Sequence, residues 1–123
     1  MKFYVLMIST IMFSGCYSIE RHCVDFKSGS FTSEIIIGTE SYKSSFTRTD
    51  SLQIEFFEGT TDSSTVRWIN DCEVIFHTIN PKRMVDKKDI HLKILTTTDS
   101  TYSFEYSYVG ETTKQKGLAT KIN

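Results

Sequence analysis

Helical periodicity is what this chain has least of: almost no stretch of its 123 residues repeats apolar side chains at the spacing of an amphipathic helix. That excludes an α-helical bundle. Proline occurs once, at Pro81, glycine only six times, and neither an internal repeat nor a low-complexity stretch interrupts the chain. A single module is expected. A charge excess is missing too, since 14 Lys and Arg oppose 15 Asp and Glu, and Lys82-Arg83 with Lys87-Lys88 is interrupted by Asp86 and followed by Asp89. Nucleic-acid binders cluster positive charge on one face because phosphate neutralisation supplies most of their non-specific affinity, so nucleic acid is excluded as a partner. The chain also lacks a Gly-x-Ser-x-Gly elbow, a His-Glu-x-x-His helix and a phosphate-cradling glycine loop. Neither an enzyme nor a cofactor nor a metal site is expected. The three imidazoles, His22, His77 and His91, are dispersed, and the last two read as ordinary sheet residues. Glu55 and Glu105 would make a carboxylate pair for acid and base work, but each falls on the polar face of its run, where solvent exposure is expected.

Long hydrophobic runs are absent as well; the longest, Phe3 to Phe13, covers 11 residues. At about 1.5 Å per helical residue, such a run spans roughly half of a ~30 Å hydrocarbon core, too short for a stable membrane helix. With Lys2 before it and Ser14-Gly15 after it, it has the three regions of a cleaved signal peptide, residues 1–15. Phe13-Ser14-Gly15-Cys16 resembles the lipobox of bacterial lipoproteins, with Phe13 where leucine is usual. The resemblance implies that the Cys16 sulfur carries a diacylglycerol, that the chain is cut before it, and that the lipid anchors the protein to a membrane of the cell envelope. Tyr17 rather than Asp follows the cysteine, and only Glu20 is acidic before Arg21, which resembles sorting to the outer membrane, facing the periplasm. Cleavage removes Lys2 alone among charged groups, leaving 13 basic against 15 acidic residues.

Residues 16–22 lack apolar periodicity and read as a tether, so the folded domain is 23–123. With Cys16 assigned to lipid, Cys23 and Cys72 remain and are expected to pair in an oxidising compartment; the alternative is two separate thiols. A bridge closing a loop of that length stabilises a fold by about 4 kcal/mol in the chain-entropy model.

From Phe26 onward the pattern has period two, in short runs rich in β-branched and aromatic residues. Leu52, Ile54 and Phe56 alternate with Gln53 and Glu55; Ile90, Leu92 and Ile94 alternate with His91 and Lys93; Tyr102, Phe104, Tyr106 and Tyr108 alternate with Ser103, Glu105 and Ser107. In each case the apolar set is the face expected to be buried, as are Val66 and Trp68 opposite Arg67. Val74 to Ile79 is largely apolar on both faces, which suggests a central or tightly curved strand. Turn signals at Gly38, Thr49-Asp50, Glu58-Gly59, Asn70-Asp71, Asn80-Pro81, Asp99 and Gly110 divide the chain into about eight strands. The fold class is all-β: consecutive antiparallel hairpins closing into a small up-and-down barrel, which removes exposed edges, with an open sandwich as the alternative.

Gly29-Ser30-Phe31 resembles the Gly-x-Trp opening of lipocalins, with Phe31 in the tryptophan position. Three stretches, Cys23-x-x-Phe26-x-x-Gly29-x-Phe31, Arg48-x-Asp50-Ser51-x-Gln53-x-Glu55 and Val66-x-Trp68-x-x-x-Cys72, are similar to a group of small lipoproteins and secreted proteins from Bacteroidetes. The resemblance covers roughly residues 23–76 and implies a lipocalin-like barrel. Some members carry a DNA topoisomerase IV label, but a topoisomerase needs a DNA-gripping surface across large domains, which a short, slightly acidic envelope protein does not supply.

Aromatic residues at a barrel mouth can hold a small apolar ligand, and Trp68, Phe76, Tyr102, Phe104 and Tyr106 are the residues expected to line such a site. The alternative is that they fill the barrel and leave no cavity. The expected function is therefore an envelope-anchored barrel that binds a small hydrophobic molecule. The other reading is a periplasmic interaction module, an inhibitor or accessory subunit, that meets a protein partner through the loop from Lys82 to Asp89.

Overall fold

Eight antiparallel strands follow one another in chain order: β1 (Gly29–Ile37), β2 (Glu40–Arg48), β3 (Leu52–Phe57), β4 (Thr60–Asn70), β5 (Glu73–Thr78), β6 (Ile90–Thr97), β7 (Thr101–Tyr108) and β8 (Gln115–Lys121). The computed structural model describes residues 20–123, so the signal segment, Cys16 and Tyr17 lie outside the described residues. Each strand pairs with its sequence neighbours, and β8 returns to β1 through six residue pairs from Phe31–Lys121 to Ile36–Lys116. The sheet is a closed barrel, as the hairpin pattern implies.

The turns explain why the meander is tight. Phe57 pairs with Thr60, leaving Glu58 and Gly59 as a two-residue loop with φ of 47° and 75°. Positive φ at both positions is the geometry whose twist matches flanking strands, and glycine at the second carries it without steric penalty. A second glycine acts on the inside: at Gly117, opposite Phe104, a Cβ would lie 2.5 Å from the Phe104 ring and 2.8 Å from the Glu34 carbonyl. The missing side chain gives that ring its place.

Directly opposed residues share a face, so the register sorts every strand into inside and outside. Inward residues include Phe31, Phe46, Val66, Val74, Phe76, Leu92, Ile94, Tyr102, Phe104 and Ala119, all buried. Ile75 is buried on the outer face, between its ladder neighbours Arg67 and His91. The expected inward faces of β6 and β7 are those observed. β3 is the exception: Phe46 opposes Glu55 and Arg48 opposes Gln53, so the polar residues point inward, while Phe56 is 46% exposed on the outside. The β2 register imposes this inversion. Phe46 stacks on Phe31 with ring centroids 4.9 Å apart, which fixes the β2 inward set and, through the hairpin, the inward set of β3. A slip of one residue would exchange faces but would take Gln53 away from Arg48.

One end of the barrel is stoppered by a 3-10 turn, Cys23–Phe26, that the strand pattern does not reveal. Phe26 is 0% exposed and meets the Tyr102 ring edge-on at 5.1 Å. Cys23 and Cys72 are joined in a disulfide with Cα atoms 5.2 Å apart, tying this stopper to the β4–β5 turn. A second 3-10 turn, Met84–Lys87, lies in the connection between β5 and β6, at the opposite end.

Candidate functional site

Above the stopper the barrel is not filled: a cavity of about 320 Å³ remains, at the lower end of the ~300–1,000 Å³ usual for ligand sites. Its floor is a guanidinium. Arg48 ends the inward alternation of β2 and is 3% exposed. Its Nε donates to Gln53 Oε1 at 2.7 Å, Nη1 to the Phe26 carbonyl at 3.0 Å and Nη2 to Tyr102 Oη at 3.1 Å. Aromatic rings surround it: its Cζ lies 4.9 Å from the Phe46 centroid, 5.3 Å from Phe31 and 5.4 Å from Phe76, with Trp68 and Tyr102 just beyond. Ring faces attract a cation, which offsets part of the cost of taking this charge out of water. No carboxylate among the described residues lies within ion-pair distance of it.

The walls combine rings and hydroxyls. Phe76, Leu92, Phe104 and Tyr106 contribute the apolar part, and Ser33, bonded to Ser44 at 2.7 Å between hydroxyls, the polar part. Glu55 also reaches the cavity, one inward position nearer the mouth than Gln53, with Asp62 directly opposite on β4. Burial pushes its carboxyl above the usual carboxylate range, and the Asp62 charge adds to the rise. Burial likewise raises the Tyr106 hydroxyl, helped by Tyr108 and Glu55. At Tyr102 burial raises the pKa and outweighs the opposing effect of the Arg48 charge.

The mouth is bounded by Tyr108 and by the loop carrying the second 3-10 turn. Arg83 clamps Asp86 with two hydrogen bonds of 3.0 Å, and both residues line the cavity. That contact holds the Asp86 carboxyl below its ordinary value. On the same loop Lys88 reaches Glu111 beyond β7 at 2.7 Å. The loop from Lys82 to Asp89 thus forms part of the cavity rim.

Phe76, Tyr102, Phe104 and Tyr106, four of the five expected lining residues, border the cavity; Trp68 does not. It lies at the closed end, below the floor, with Lys27 Nζ 5.3 Å above its ring and its Nε1 buried without a hydrogen-bond partner. β4 carries Trp68 toward the stopper, with Val74 as its ladder neighbour, whereas Phe76 is placed one inward step higher. Sequence reasoning missed Arg48, Gln53, Glu55 and Asp62 as cavity residues. The signal was in the alternation: Phe46 and Arg48 share one face, and a tight turn sets Gln53 and Glu55 across from them.

Glu105 lies on the outer face as expected and pairs with Lys114 at 3.1 Å, whereas Glu55 turns inward with its strand. His77 is exposed and bonded to Asp89 at 2.6 Å, and His91 meets Glu73 at 3.0 Å, both outside the barrel. Among the described residues no group of three His, Cys, Asp or Glu side chains converges as a metal site would require. Neither known family models nor curated proteins match this chain. Its chemistry is therefore read from the cavity: an enclosed cation, ring-lined walls and an opening flanked by one ion pair.

Proposed function

We propose that this protein is an envelope-anchored member of the small lipocalin-like lipoproteins and that its barrel holds a small, largely hydrophobic molecule. The observation carrying this reading is the open space bordered by Phe76, Leu92, Phe104 and Tyr106 above a floor that is already filled. A barrel of this size normally has only enough interior for its own side chains. Here Ser33 lines the space with a small hydroxyl side chain where a larger residue would close the gap.

The lipobox-like Phe13-Ser14-Gly15-Cys16 supports an anchor at Cys16 on the periplasmic face of the outer membrane. The first described residues run along the closed end, where Arg21 Nη1 donates to the Ile94 carbonyl and the His22 backbone N–H to Thr97 Oγ1, both at 2.9 Å. A lipid attached through so short a tether leaves the mouth pointing away from the membrane. The test has two parts. Titrating the full chain with a panel of small apolar compounds should give saturable, one-to-one quenching of tyrosine and tryptophan emission; a flat response across the panel would refute ligand binding. Cys16→Ala should release the protein from membranes or leave it unprocessed, and normal processing with full membrane retention would refute the anchor.

A second reading, a periplasmic interaction module, draws on the exposed Met84 at the tip of the rim loop. Replacing residues 82–89 by glycine and serine should then abolish capture of an envelope partner, and an unchanged set of partners would remove the loop from consideration.

A further inference from the structure

We infer that the molecule held in the barrel carries a carboxylate, and that Arg48 receives it at the cavity floor. The inference deepens the ligand-binding reading above and rests on it.

Among the described residues Arg48 is the one buried side chain of the cavity with a permanent charge, and none of them pairs that charge with a carboxylate. Its three hydrogen bonds go to an amide oxygen, a backbone carbonyl and a phenol, all neutral acceptors. A guanidinium has five N–H groups, so two are left uncommitted, one on each terminal nitrogen. The residue across the ladder from Arg48 is Gln53, an amide where a glutamate would have closed an internal ion pair. The nearest carboxyl along the same strand, Glu55, forms no hydrogen bond to Arg48, and its own burial favours the protonated, uncharged state. An enclosed cation without a counter-ion is costly. The aromatic box lowers that cost but does not supply an acceptor for the spare N–H groups. A carboxylate entering from the cavity supplies both negative charge and acceptors, and a forked guanidinium matches its two oxygens.

Geometry limits the body attached to the acid group. Gln53, Arg48 and Tyr102 form a polar row across the floor, while the space toward the mouth runs between Phe104, Leu92 and Tyr106. A compact apolar body on a single carboxylate, a short alkyl or aryl acid, fits a cavity of about 320 Å³. Long-chain acids would project through the mouth past Arg83.

The experiment compares octanoate, octanol and methyl octanoate on the full chain by calorimetry. Trp68, the only tryptophan, serves as a second readout because its ring centroid lies 5.8 Å from the Arg48 Cζ. Octanoate should bind about tenfold to a hundredfold more tightly than either neutral analogue, the range expected for hydrogen bonds to a charged group. Arg48→Met should level the three affinities, and Arg48→Lys should keep part of the preference for the acid. Equal affinities in the wild type would overturn the inference while leaving the ligand-binding reading standing. A preference for the acid that survives in a folded Arg48→Met would remove Arg48 from it. Failure of all three compounds to bind the wild type would count against the inference and, with a flat panel, against ligand binding itself. The wild-type comparison needs no variant to fold.

Discussion

The closed end and the mouth of this barrel solve opposite problems with overlapping residue types. At the closed end Phe26, Phe31 and Tyr102 are fully buried, the disulfide fixes the stopper, and a cation is boxed in by rings. At the mouth Arg83, with a side chain 75% exposed, borders the cavity and clamps a neighbouring aspartate on its own loop. Exposed pairs of this kind contribute little because water and salt screen them, whereas each large ring buried at the floor removes much apolar surface from solvent. Cohesion is concentrated at one end, which frees the other to remain open and polar. The cavity lies where the two regimes meet.

Three changes would break or sharpen that contrast. Removing the bridge with Cys23→Ala and Cys72→Ala should cost the most, about 4 kcal/mol for a loop of this length, seen as a lower midpoint in chemical denaturation. A loss near zero would mean that the stopper is held by packing alone. Tyr102→Phe should cost about 2 kcal/mol, since it leaves a charged donor of Arg48 without its acceptor in a buried site. The mouth side of the cavity should respond in the opposite direction. Glu55 has a pKa raised by burial, so the folded state binds its proton more tightly than the unfolded chain does. This carboxyl therefore costs stability as pH rises from the ordinary carboxylate range through its raised value, and the cost disappears on acidification. Glu55→Gln should give a small gain at neutral pH and flatten the stability profile above about pH 4.3, the usual glutamate value. A loss of stability in Glu55→Gln would show that the ionised carboxylate has a role in holding the barrel.

Most of the fold was legible in the residues because an up-and-down barrel is written locally: period-two runs, turn residues between them, and sequence neighbours as spatial neighbours. The Cys23–Cys72 disulfide is the pair that the lipobox resemblance leaves once Cys16 is assigned to lipid. What escaped was set at longer range. Which face of β3 points inward depends on Phe46 packing against Phe31 one strand away, and the apolar set Leu52, Ile54 and Phe56 gives the opposite answer when read alone. The stopper, four residues without periodicity, is held by Arg48, Cys72 and Tyr102, all distant along the chain. The aromatic lining was readable from β5 and β7, while the buried cation was not, because an arginine at a strand end ordinarily signals solvent.

The disulfide also determines how the molecule bears load. A pull on the amino-terminal segment reaches Cys23 before it reaches β1, and the covalent bridge passes it directly to Cys72 in the β4–β5 turn. The β1–β8 seam that closes the barrel is thereby shielded from peeling. With the bridge reduced, the same tension would run through Phe26 into Gly29 and load the β1–β8 seam directly.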